Sequence, residues 1–554
     1  MNCSSSFGDV FAASGTGHAP RPIIPLADVD IQHFIRHGYV RVQSSLSPVF
    51  HANVAALAQS LNAGGAHYGR GWAGNDCYPD IPELGAVLLD PVVHGAFVGL
   101  LGSAYALHPH RHCHISAPGN DDQAIHQDSY EDDQATRHHR PRWVMAMYYP
   151  HSVDQQRAPT ALVPGSHFYN DPHGVSENGP CFGRGSGRKG HWCHDTEEWH
   201  AIVPGGTVVI VHYELWHRAT KLRSSHTRFM FKFLLCRMEE PVEPSWSLTD
   251  RNWPDADVKY RAIWHWMLGG VTNRDSASAE EPDESATVEE LIEQLQHSDE
   301  RKRLDACYRL GRVGSAAVNP LVRELRREAA TKQAINLARH HTNLAQLFAR
   351  TALVEVGEPA IAALTALLLD PLSCSTLPCS AAGKKAEAFG WMLRASAADA
   401  LGDMGRVGIS ALPALSRALQ LYLTKAAEEE EAEVATEDEA ENEQQEHSTL
   451  RWWAIRNAVE ALGYIGHPLP PASTSTSQEM LRCLATLASH EPAPSWIRHN
   501  AVLAIGRLGP AIAPRRVSNG EMSTQSLSLS SLPLSSLCET FDNKRGDGHH
   551  RSPR

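Results

Sequence analysis

Five segments in the C-terminal half of the chain share one internal spacing: ACYRLGRVG (306–314), ARTALVEVG (349–357), AADALGDMG (397–405), AVEALGYIG (458–466) and AVLAIGRLG (501–509). Each opens on Ala and closes on Gly eight residues later, with an aliphatic side chain four residues before that Gly: Leu310, Leu353, Leu401, Leu462 or Ile505. Four of them also place Gly three residues before the last; Val354 takes that place in the second. The closing glycines are 43, 48, 61 and 43 residues apart. A repeat of this length folds as a stack of helix pairs. The small Ala lets helices approach, the aliphatic residues fill a shared core, and the closing Gly ends each helix.

The repeating pattern resembles HEAT repeats of the short, phycobilisome-lyase type and covers 285–515. That resemblance implies an α-helical solenoid with a long surface suited to a protein partner. The wide third gap holds an acidic insert (426–447): eleven acidic residues and no basic one lie between Glu428 and Glu446, which is most of the net charge of −13. Such a run is expected to be a solvated, disordered insert. The rest of the chain shows no basic face, so nucleic acid is not an expected partner. After 515 the Ser-rich sequence predicts a disordered tail (516–554).

Before about residue 245 the grammar changes. Short β-rich runs alternate with turn residues: RWVMAMYY (142–149), TALVPG (160–165), GGTVVIVHY (205–213) and RFMFKFLL (228–235). This spacing predicts an all-β barrel or double sheet with long loops. DVDIQHFIRHGYVRV (28–42) predicts an amphipathic helix leading into a strand. A chain of 554 residues with 42% hydrophobic content supports two or three soluble domains. The expected organisation is a flexible N-terminus (1–24), a β domain (25–245), a helix and linker (246–284), the helical repeats and the tail. No stretch reaches the roughly 20 apolar residues of a membrane span. Eleven scattered cysteines suit a reducing, cytoplasmic location. The Ser-rich, acid-poor first twenty residues leave an organelle-targeting segment open as the alternative.

The β domain carries the chemistry. In AIHQDSYEDD (124–133), His126 and Asp128 are two residues apart and face the same way if the backbone is extended. A hydrogen-bonded loop pair accounts for these two taken alone. A third ligand from elsewhere would make a two-histidine, one-carboxylate facial site for non-haem Fe(II). If the strand TVVIV continues, Val209, Val211, Tyr213, Leu215 and His217 share a face, with His212 on the other. His217 then stands at the strand's end. Eleven residues on, Arg228 opens the next β-rich run, where a guanidinium can hold a carboxylate bidentately. Arg218 and Arg223 are the alternatives for that role. In a second constellation, Cys181, His191, Cys193 and His194 fit no standard zinc spacing, and their segment reads as a loop over the barrel mouth.

FIRHGYVRV (34–42), HQD (126–128), VPGSH (163–167), GGTVVIVHYELWH (205–217) and Arg228 follow one another in an order that resembles the phytanoyl-CoA dioxygenase family, over about 28–240. The resemblance implies a double-stranded β-helix (jelly-roll, cupin-like) barrel with flanking helices. It implies Fe(II) held by His126, Asp128 and His217, with 2-oxoglutarate as cosubstrate and O2 as oxidant. Arg228 would bind the distal carboxylate of 2-oxoglutarate, and Gln127 would lie near the cosubstrate. A carboxylate at position 128, where related halogenases carry a small residue, implies hydroxylation. The turn before VPGSH departs from the family: Gln155-Gln156-Arg157 stands where many members read Glu-Asn-Gly. The expected function is hydroxylation of a small organic substrate by the barrel, with the helical repeats for protein interaction. Two alternatives are a hydroxylase whose protein substrate docks on the repeats, and a scaffold with a relic barrel.

Overall fold

The computed structural model describes residues 22–63, 77–123, 125–128, 139–169, 198–270, 286–332, 347–371, 384–433, 441–466, 474–490 and 493–512. The first 21 residues, the 271–285 linker, the Cys181–His194 constellation and the Ser-rich tail lie outside them.

The N-terminal half is built on two antiparallel sheets. Its strands are β1 (Tyr39–Gln43), β2 (Tyr105–Ser116), β3 (Trp143–Tyr149), β4 (Thr160–Leu162), β5 (Trp199–His200), β6 (Thr207–His212), β7 (His217–Ala219) and β8 (Arg228–Arg237). The large sheet runs β1-β6-β3-β8-β2 and the small one β5-β4-β7. Both faces of the large sheet are covered, which is why β3 and β6 read as nearly continuous apolar runs and β8 is interrupted by Lys232 alone between Phe229 and Cys236. Val144, Ala146, Tyr148, Val208, Ile210, Phe229, Phe231 and Phe233 pack under helices α1 (Asp28–His37), α2 (Pro48–Ala63), α3 (Cys77–Asp80), α4 (Leu84–Leu88) and α5 (Pro91–Leu101). Their neighbours Met145, Met147, Val209, Val211, Met230 and Leu234 face the barrel interior. The helix α1 and strand β1 predicted over 28–42 are both present; Gly38 at φ 77 makes the tight exit between them.

Two local expectations need correction. The strand does not continue to His217: β6 ends at His212, and the chain turns, with the Leu215 amide donating to the His212 carbonyl. Tyr213 and Leu215 stay in the inner core, but His217 opens β7 in the other sheet. Strand β2, absent from the sequence expectation, spans YALHPHRHCHIS. Its histidines and Pro109 disguise it, and its pairing with β8 slips between Leu107 and Arg111, around that proline.

Past α6 (Val258–Met267) the described chain is helical: α7 (Val288–Gln294), α8 (Glu300–Val313), α9 (Ser315–Lys332), α10 (Phe348–Val356), α11 (Ile361–Leu369), α12 (Lys384–Asp403), α13 (Leu412–Glu433), α14 (Glu441–Ile465), α15 (Thr474–Ser489) and α16 (Ser495–Ile512). The five repeat segments lie on α8, α10, α12, α14 and α16, and these pack on one another in that order around one core. Gly314, Gly357 and Gly405 end their helices with φ 75, 76 and 59. Gly509 does not end one; α16 runs through it to Ile512. A glycine permits an exit without requiring one, at a cost of about 1 kcal/mol in a helix interior. The acidic insert is not wholly irregular either. Helix α13 extends to Glu433 and α14 starts at Glu441, consistent with the high helix propensity of Glu and Ala. No single described helix is long and apolar enough to cross a membrane.

The two halves share a buried polar junction. Arg142, at the start of β3, donates to both oxygens of Glu240 at 2.7 and 2.9 Å and to Asp403 Oδ1 of α12 at 2.5 Å. Arg350 of α10 reaches Asp403 Oδ2 at 3.0 Å. His139 Nδ1 and the Tyr308 hydroxyl of α8 lie 2.7 Å apart, and Tyr308 and Leu304 join the core beneath the barrel helices.

Candidate metal centre

His126 and His217 come together through backbone pairing. They form an isolated antiparallel bridge, each amide donating to the other's carbonyl at 2.9 Å. Directly opposed residues in such a bridge put their side chains on the same face, and the two imidazole centroids are 4.5 Å apart. Asp128 follows His126 by two and returns to that face. Its Oδ1 is 3.5 Å from His126 Nε2 and its Oδ2 is 3.8 Å from His217 Nε2. The ligating atoms of the three residues all lie within 4.8 Å of one another. The structure thus brings together the three side chains named from the sequence, although the strand expected to deliver His217 ends earlier.

The electrostatics suit metal ligation. Burial opposes ionisation of Asp128, but Lys232, His217 and His126 outweigh it and hold its carboxyl well below the usual carboxylate range. Burial, reinforced by neighbouring His126, pushes His217 down to about 4, so its imidazole is neutral at ordinary pH. The His217 Nδ1 hydrogen is directed at the Leu215 carbonyl at 2.8 Å, which leaves Nε2 with its lone pair toward the triad.

Arg228 enters the same interior from β8, and is 1% exposed. Its Nη2 donates to Ser116 Oγ at 2.7 Å and its Nη1 to Thr160 Oγ1 at 3.4 Å, while Tyr149 donates to that same threonine oxygen at 2.8 Å. Among the described residues no carboxylate pairs with this guanidinium, and its Nε is buried without a partner. Burying an arginine without a counterion is costly. Arg218 does not compete for the role: it is engaged by Glu198 and Asp122 at 2.8 Å each. Arg223 is exposed.

Gln127 is corrected. Its side chain alternates to the opposite side from His126 and Asp128, where its amide donates to the carbonyls of Glu214 at 2.7 Å and Tyr169 at 3.1 Å. Trp216 Nε1 donates to the same Tyr169 carbonyl at 3.1 Å. Gln127 thus joins the two ligand-bearing segments to a common loop through the backbone carbonyls of Glu214 and Tyr169. Sequence reading missed Lys232, whose Nζ is 2.8 Å from Asp128 Oδ2. It also missed Ser116 and Thr160. Lys232 was detectable: it is the one charged residue inside the apolar run FMFKFLL, at the same strand parity as Arg228.

Two buried ligands, Asp128 and His217, and the half-buried His126 converge on one point beside a buried guanidinium, a donor set that fits a divalent metal with a dicarboxylate cosubstrate. Residues 73–230 match the family model of phytanoyl-CoA dioxygenase (PhyH). No curated protein sequence matches. Among solved structures, the chain is similar to a non-heme alpha ketoglutarate dependent carbocyclase from nogalamycin biosynthesis, with 16% identity, 40% of this chain and 88% of that one covered, and a TM-score of 0.30. It is also similar to HygX from Streptomyces hygroscopicus with nickel and 2-oxoglutarate bound, with 14% identity, 38% and 88% covered, and a TM-score of 0.30. A protein from Streptomyces viridochromogenes, AviO1, matches at 15% identity over 40% of this chain and 97% of that one, with a TM-score of 0.28. The similarity to the phytanoyl-CoA dioxygenase family thus extends over residues 73–230.

Proposed function

We propose that the protein is an Fe(II)- and 2-oxoglutarate-dependent dioxygenase that hydroxylates a small organic substrate. The observation that carries this reading is the convergence of half-buried His126 with buried Asp128 and His217 beside buried Arg228. His126, Asp128 and His217 would hold the metal. Iron bound there with 2-oxoglutarate supplies the oxidation of a C–H bond, coupled to decarboxylation of the cosubstrate to succinate. Arg228 binds the far carboxylate, and Ser116 and Thr160 fix the orientation of its guanidinium. The two covered faces of the sheet keep water from the reacting atoms. The ionised side chain of Asp128 completes the ligand set, which supports hydroxylation over halogenation.

The C-terminal helices, read as HEAT-like repeats, would bind a protein. Their buried junction with the barrel supports a second reading, in which the docked protein is itself the substrate. Oxygen uptake by the purified full-length protein with Fe(II) and 2-oxoglutarate, alongside succinate formation, tests the first claim. Activity is expected in the wild type and absent in His217→Ala; equal turnover in that variant would remove His217 from the site. A scaffold with an inert barrel predicts no succinate from either. Affinity capture with peptide mass analysis separates the two substrate readings, since a captured partner carrying an added oxygen supports the protein substrate.

A further inference from the structure

Lys232 is committed to the barrel interior by strand parity. On β8 it pairs in register with His112 of β2, and its neighbours Phe231 and Phe233 are locked under the helices on the opposite face. It is 4% exposed, and its Nζ lies 2.8 Å from Oδ2 of Asp128. A buried ammonium this close to a carboxylate is held by the strongest kind of side-chain contact available there. Asp128 has two oxygens, and both face histidine: Oδ1 toward His126 and Oδ2 toward His217. Lys232 thus lies on Oδ2, while Oδ1 is the oxygen turned to His126.

We propose that Lys232 is a positioning residue that occupies one oxygen of Asp128, so that the carboxylate offers the metal a single ligand atom and leaves room for a chelating 2-oxoglutarate. The inference rests on reading His126, Asp128 and His217 as the metal site. It has a second consequence. Lys232 places a positive charge a few ångströms from the ion, so it loosens the divalent cation and favours the doubly negative cosubstrate. The site trades metal affinity for cosubstrate binding.

Two measurements on the full chain test this, neither of them turnover. Co(II) titration reads metal affinity, and the charge-transfer absorption of the Fe(II)–2-oxoglutarate complex under argon reads cosubstrate binding. Lys232→Met is expected to bind Co(II) at least tenfold more tightly and to need at least tenfold more 2-oxoglutarate for half of the absorption. Lys232→Arg, which keeps charge and donor, is expected within threefold of wild type in both. Lys232→Gln serves as a second charge-removing variant should the methionine protein fold poorly, with the same tightening of Co(II) expected. Unchanged or weaker Co(II) binding on removal of the charge overturns the proposal, as does an unmoved charge-transfer midpoint in Lys232→Met. Wild-type protein that binds no Co(II) at all would instead sink the reading of the triad itself.

Discussion

Arg228 stood out in the sequence because its spacing from His217 follows the family order, whereas Lys232, the one charge inside an apolar run, needed strand parity to place it on the interior face. Gln127 shows the converse: adjacency in sequence to two ligands put it on the far side of the backbone, clamping Tyr169 and Glu214 carbonyls. Loss of the charged contact in Arg228→Met should cost about 2–3 kcal/mol of cosubstrate binding. The Michaelis constant for 2-oxoglutarate should rise on the order of 100-fold, checked by succinate formation against cosubstrate concentration; an unchanged constant would assign the distal carboxylate elsewhere. The imidazoles give a pH prediction. Burial pushes both His112 and His217 down to about 4, aided at His112 by Lys232 and at His217 by His126. An unfolded histidine titrates near 6.5. Between about pH 6.5 and 4 the unfolded chain therefore binds protons that the folded metal-free protein does not, so stability falls as pH drops through that window. Urea midpoints at several pH values check this; a rise in stability on acidification would contradict the burial of neutral rings.

The repeat helices were legible because one nine-residue spacing recurs five times, but the role of their internal glycines emerged only with the packing. A Cβ on Gly402 would come 2.9 Å from the Ala461 backbone, and one on Gly463 would come 3.0 Å from that of Ala504. Glycine there sets the distance between consecutive repeat helices. Gly402→Ala should destabilise by about 1–3 kcal/mol through overpacking, against a propensity gain of about 1 kcal/mol. Thermal denaturation measures the balance, and a more stable variant would refute the close approach. Strand β2 was illegible for a physical reason: polar histidines belong on its interior face because the site is there, and they erase the apolar pattern by which strands are recognised.

The change of grammar near residue 245 marked the two halves, yet nothing in it disclosed that they are welded together. The junction depends on charges more than 250 residues apart, and such pairs leave no local signal. Arg142 is 1% exposed, and both Glu240 and Asp403 serve it. Asp403→Ala would take one partner from each of Arg142 and Arg350, and should cost about 3–5 kcal/mol. Because Tyr308 and Leu304 belong to the barrel-side core, that loss should lower the unfolding midpoint of barrel and helices together, as read by denaturant titration. Movement of the helical signal alone would show the halves to be independent. All of this rests on three ligands meeting at one ion, and equilibrium dialysis of the full-length protein against Co(II) measures that directly. One ion per chain is predicted for the wild type, with affinity falling at least a hundredfold in both Asp128→Ala and His217→Ala; wild-type affinity retained in either variant would contradict it.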